Sequence, residues 1–83
     1  MAINYAQLRS LTARELISAL IRDGFTFDHQ TGSHHLYYHV DRRRVTVSFN
    51  RPGETFRFKT LKAMIELQAN WAEEDLRRLK LLK

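Results

Sequence analysis

The sequence predicts an α+β protein of two layers: a three-stranded antiparallel sheet with helices on one face, and an extra short helix at the C-terminal end. Three observations predict it. A capping signal precedes an apolar stripe at residues 12–24, alternating patterns fill three short segments between residues 25 and 49, and helical spacing returns from residue 59. A chain of 83 residues has room for one core only, so the expected unit is a single domain over 1–83, with its core at about 11–69 and a C-terminal helix over 70–83.

Thr12-Ala13-Arg14-Glu15 has the form of a capping box, in which the Thr hydroxyl and the Glu carboxylate each satisfy an orphan backbone N–H at a helix start. Leu16, Ile17, Leu20 and Ile21 follow as one stripe, and Gly24 supplies a C-terminal cap, so helix one is expected over about Ala13–Asp23. The period then changes to two. Phe25 and Phe27 share one face of a short strand, with Thr26 and Asp28 on the other, and Gln30-Thr31-Gly32-Ser33 reads as a turn.

His34–Val40 is the second strand. Alternation sets His34, Leu36, Tyr38 and Val40 against His35, Tyr37 and His39, and the aliphatic Leu36 and Val40 mark the first set as the core face. Asp41–Arg43 reverses the chain, and Arg44–Phe49 is the third strand, with Val45, Val47 and Phe49 on one face. After the Asn50-Arg51-Pro52-Gly53 turn, Leu61, Met64, Ile65 and Gln68 take helical spacing over Lys59–Ala69. Phe56 and Phe58 are expected in the core. The stretch Asn70–Glu73 resembles another cap, and Glu73/Arg77 and Glu74/Arg78 are favourable i,i+4 pairs on a third helix.

Fourteen Lys and Arg against nine Asp and Glu give a formal charge of +5, which favours a polyanionic or acidic partner. Seven of the cations (Arg42, Arg43, Arg44, Arg51, Arg57, Lys59 and Lys62) fall between residues 41 and 62, against Asp41 and Glu54 alone. The absence of cysteine removes disulfides and thiolate metal sites, and fits a reducing cytoplasm. No segment has the length and apolarity of a membrane span, and residues 1–10 lack a signal-peptide core, so a soluble, unexported protein is expected. His29, His34, His35 and His39 match no closed zinc spacing, so neither a metal nor another cofactor is expected.

The words Asp23-Gly24-Phe25, Gly32-Ser33-His34-His35 and Val45-Thr46-Val47, followed by Thr60-Leu61, occur in that order over one helix, three strands and a second helix start. In this the chain resembles the HicA family of mRNA interferases over roughly residues 11–67. The resemblance implies the α-β-β-β-α fold of a double-stranded-RNA-binding domain. It also implies a toxin of a type II toxin–antitoxin system, cutting mRNA without a metal and neutralised in a hetero-oligomer by a HicB-type antitoxin. By the same resemblance, His34 is the catalytic residue. Two positions depart from the family pattern. Ser48-Phe49-Asn50 follow Val45-Thr46-Val47 where members often carry a proline and a basic residue or histidine, and Lys59 stands where members have glycine.

The chemistry suits the residue type. An imidazole titrates near neutral pH and can accept the proton of a ribose 2′-OH or donate one to a 5′-oxygen leaving group. Gly32 and Ser33 allow close approach, and His35, as a strand neighbour pointing to the other face, is expected to be supporting at most. Arg42, Arg43, Arg44 and Lys59 are the expected contacts to the RNA backbone, with Tyr37 as a stacking residue. Because alternation assigns the face of His34 to the core, the first residue of the strand is expected to escape that alternation beside Gly32. Two other readings remain open: a non-catalytic RNA-binding module of the same fold, and an interaction protein whose basic face receives an acidic partner.

Overall fold

The computed structural model describes residues 3–83; Met1 and Ala2, the first positions of the expected unit, lie outside the described residues. Helix α1 (Ala13–Arg22) starts where the capping box places it. The Thr12 hydroxyl accepts the Glu15 N–H at 3.2 Å and the Glu15 carboxylate accepts the Thr12 N–H at 2.9 Å. The remaining free N–H groups of its first turn find the loop after the sheet, Ala13 donating to the Glu54 carbonyl (2.8 Å) and Arg14 to that of Pro52 (3.0 Å). Ala13, Leu16, Ala19 and Leu20 are buried along one stripe, while Ile21 remains 56% exposed.

Gly24 reverses the chain at φ +101°, and a Cβ there would lie 2.9 Å from the His39 ring, so both backbone conformation and space demand glycine. Three antiparallel strands follow in the spatial order β1-β2-β3: β1 (Thr26–Thr31), β2 (His34–Tyr38) and β3 (Arg44–Ser48). β1 runs three residues further than its expected end. All six of its residues are exposed on an edge strand, which gives it the polar composition of a turn. The hairpin turn is therefore only Gly32-Ser33, with glycine at φ +58° at the first central position. The β2–β3 connection turns through Arg42 at φ +80°, an unusual conformation for a residue with a side chain.

The sheet packs its Tyr37, Val45 and Val47 side against the helices, the reverse of the face that Leu36 and Val40 suggested. Val40 lies beyond the end of β2, in the turn, and is 87% exposed. The polar residues on the covered side carry their own partners. His35 Nδ1–H donates to the Ser33 carbonyl (3.0 Å), with its ring stacked on Phe49, and both nitrogens of His39 are engaged, Nε2 by the Asp23 carbonyl (2.9 Å) and Nδ1 by Asp41.

Helix α2 (Phe58–Lys62) continues into a π-helical segment, Ala63–Gln68, whose Ala69 N–H reaches back to the Met64 carbonyl at 2.8 Å. There Gln68 Oε1 accepts the Thr46 N–H at 2.8 Å, closing the outer edge of β3. Asn70, at φ +55°, ends the helix rather than starting the next. Helix α3 (Glu73–Arg78) is instead capped by Asp75, which accepts the Ala72 N–H (2.8 Å). Of the two expected pairs on it, Glu73–Arg77 forms at 3.0 Å, while Arg78 turns to Asp75 and Asp23. Leu76, Leu79 and Leu82 join the same buried cluster as α1 and the sheet, and so does Leu8, from a 3₁₀ turn (Tyr5–Leu8) that the sequence pattern does not announce. The architecture is α+β with the α-β-β-β-α order of a double-stranded-RNA-binding domain.

The Asp23 carboxylate, 7% exposed, is where these layers meet. It accepts Trp71 Nε1–H at 2.8 Å and is paired with Arg78 at 2.6 Å and Arg43 at 3.2 Å. Burial pushes its pKa up, but the Trp71 and Arg78 hydrogen bonds and the two guanidinium charges outweigh it and hold the group below the usual carboxylate value. A depressed folded-state pKa contributes stability above the unfolded value, near 3.9, and that contribution is lost as pH falls through the folded value. Urea titrations are therefore expected to show stability falling below about pH 4. Asp23→Asn is expected to be less stable at pH 7 by about 2–4 kcal/mol and to show a shallower acid limb.

Candidate active site on the open sheet face

The side of the sheet away from the helices is uncovered. Its register is set by three rows of neighbours running across the strands: Thr31, His34 and Ser48; His29, Leu36 and Thr46; and Thr26, Tyr38 and Arg44. His34 is the first residue of β2, immediately after the Gly32-Ser33 turn, and it is exposed without any escape from alternation. Among the described residues no hydrogen bond holds its ring, whereas the rings of His35 and His39 are tied to backbone on the covered side. The tetrapeptide Gly32-Ser33-His34-His35 thus divides into one presented imidazole and one anchoring imidazole. Ser33 contributes its carbonyl, which receives the Phe49 N–H (3.0 Å) as well as His35, and so clamps the turn to the end of β3.

The expected RNA contacts separate into those on the surface and those drawn inward. Tyr37 is 7% exposed, edge-on to Phe27 at 5.7 Å between ring centroids, and burial raises the pKa of its hydroxyl. It is a core residue, because the covered face is the odd-numbered one. Its neighbour Tyr38 takes the open face, with the Arg44 guanidinium 5.5 Å from its ring centroid. Arg43 likewise turns inward. It donates to the Ala69 carbonyl (2.6 Å), pairs with Asp41 (2.8 Å) and Asp23, and lies over the Phe25 ring (4.8 Å), so it is a structural cation.

Arg42 and Arg44 are exposed at the end of the sheet remote from His34, which four residues of strand place about 13 Å away. Lys59 is exposed on the first turn of α2, in the helical layer. At the His34 end, Arg51 is an exposed cation in the loop that leaves β3, three residues past Ser48. The sequence pattern assigns Tyr38 to the core face, and places Arg51 in the basic segment without marking it as a contact. The correct parity of β2 would have marked the first, and chain proximity to the partner of His34 the second.

Two cavities of about 500 and 450 Å³ open between the N-terminal turn and α2, each lined by Tyr5 and Phe58 and neither by His34. Phe58, expected in the core, is 56% exposed there and meets Tyr5 edge-on at 5.1 Å.

The different settings of neighbouring arginines give a direct test. Arg43→Ala is expected to lower the melting temperature by about 10 °C, since roughly 2 kcal/mol goes with a cation that holds buried partners. Arg44→Ala, on the open face, is expected to stay within about 3 °C of the parent in the same thermal melts.

Compared with known protein families, the chain matches, over residues 13–71, the family described as HicA toxin of bacterial toxin-antitoxin. No curated protein matches it significantly. Among the described residues, no helix is long and apolar enough to cross a membrane.

Proposed function

Because the chain belongs to the HicA toxin family of bacterial toxin–antitoxin pairs, we propose that it is a metal-independent endoribonuclease acting on mRNA, with His34 as its proton-transfer group. The observation that carries this reading is the exposed, unengaged ring of His34 on the bare face of the sheet, beside the Gly32-Ser33 turn. Small residues at that turn let a ribose-phosphate backbone approach, since a side chain at Gly32 would otherwise project into open space there.

In this mechanism the ribose 2′-oxygen attacks the adjacent phosphorus and the 5′-oxygen leaves. His34 transfers protons at one or both oxygens, which is worth about 10²- to 10⁴-fold. The strand runs along the open face, with Arg44 and Arg42 binding phosphates at one end, Arg51 at the other, and a base stacking on Tyr38. Residues 3–83 act as one domain, a reading supported by the core that α3 and the sheet share. The activity is cytoplasmic, where mRNA is. A HicB-type antitoxin neutralises it by covering the open face, whose exposed arginines suit an acidic partner surface.

His34→Ala is expected to lose RNA cleavage by at least about 10²-fold, with far-UV circular dichroism and melting temperature unchanged, because the ring supports no packing. Binding by the inactive variant is expected to persist and to weaken log-linearly with rising salt. A His34→Ala protein that still cuts RNA at the parent rate removes this reading. A parent protein that binds RNA and never shortens it supports the non-catalytic RNA-binding module instead.

A further inference from the structure

β1 carries one more residue than its partner needs. Phe27 pairs with Tyr37 and His29 with Leu36, so Asp28 is the inserted residue of a β-bulge. In a regular strand, residues 28 and 29 would point to opposite faces. The bulge relaxes that rule and lets the Asp28 carboxylate meet His29 Nδ1 at 3.0 Å. It also fixes the register of all that follows. His29 falls in line with Leu36 on the open face, and Thr31 in line with His34. His29 and His34 are therefore diagonal neighbours across β1 and β2, about 7–8 Å apart at the backbone. The His29 side chain is 57% exposed.

We infer that His29 is a second catalytic imidazole on this face, the base to His34 as acid; the inference rests on the RNA-cleaving reading above. A carboxylate on Nδ1 holds a histidine with Nε2 turned outward as a proton acceptor and stabilises the imidazolium formed when that proton arrives. His29 has such a partner in Asp28. Each ring nitrogen reaches its oxygen at about 3 Å, so a diagonal pair can take one phosphate between two rings. His29 Nε2 accepts the 2′-OH proton as the 2′-oxygen bonds to phosphorus. The bond from phosphorus to the 5′-oxygen breaks, its electron pair leaves on that oxygen, and His34 supplies the proton that makes it a hydroxyl. The products are a 2′,3′-cyclic phosphate and a 5′-hydroxyl end, and exchange with water returns both rings to their starting forms. His35, stacked on Phe49 behind the sheet, cannot share this work.

The test uses the full-length protein and a short RNA containing one mapped cleavage site. It adds a 2′-deoxy analogue that binds but cannot react, and an RNA whose scissile 5′-oxygen is replaced by sulfur, a leaving group that departs without protonation. His29→Gln is expected to lower kcat/KM by about 10²- to 10³-fold, to bind the deoxy analogue within about twofold of the parent, and to lose one limb of the pH–rate profile. The sulfur substrate is expected to restore His34→Ala by at least about tenfold and to leave His29→Gln unchanged. Cleavage by His29→Gln within threefold of the parent, a loss matched by lost affinity, or a profile that keeps both limbs overturns the inference. When His34→Ala is inactive in that same experiment, the RNA-cleaving reading survives and only the role of His29 falls. Full activity in His34→Ala removes both.

Discussion

One carboxylate ties together four parts of the chain that lie far apart in sequence. Asp23 ends α1, and its side chain receives Trp71 from beyond α2, Arg78 from α3 and Arg43 from the start of β3, while its carbonyl receives His39 from the end of β2. The Asp23 carboxylate is nearly covered while the Arg78 side chain stays half exposed, so the carboxylate is the member that is costly to leave unpaired. The next residue must be glycine, since His39 occupies the space a Cβ would need. Asp23-Gly24-Phe25 is therefore a structural device. It sets how α1 meets the sheet, and through β2 it sets which way the strand's alternate residues face.

From that constraint the open face follows. With His39, Tyr37 and His35 turned to the helices, Tyr38, Leu36 and His34 are left toward solvent. The two buried-side histidines are tolerated because backbone groups satisfy them, so a polar residue on the covered face costs little. The outer edge of β3 is closed by Gln68 from the π-helical turn, and the outer strand β1 is kept polar and interrupted by its bulge. Both are ways of preventing an exposed edge from pairing with another chain. They leave the middle of the sheet free for a ligand.

The positive charge of the chain is not a single patch. Arg43 serves the Asp23 cluster, and Arg77 and Arg78 pair with acids of α3. Arg44 lies beside Tyr38 on the open face, Arg42 is exposed in the turn before it, and Arg51 is exposed in the loop after β3.

The sequence by itself determined the element order, the capping box at Thr12, the glycine reversal at Gly24 and the family resemblance carried by residues 23–61, because each depends on neighbours a few residues apart. It also singled out His34 from its motif. Only the tertiary structure decided the parity of β2: Leu36 and Val40 looked like core, yet one faces the open side and the other lies in a turn. It also decided that Arg43 and Tyr37 belong to the interior while Arg44 and Tyr38 do not, and that Gln30 and Thr31 are strand rather than turn. Polarity reports average exposure along a segment. Which side of a strand is covered, and which of two adjacent side chains finds a buried partner, depends on residues 20 to 55 positions away that composition cannot bring together.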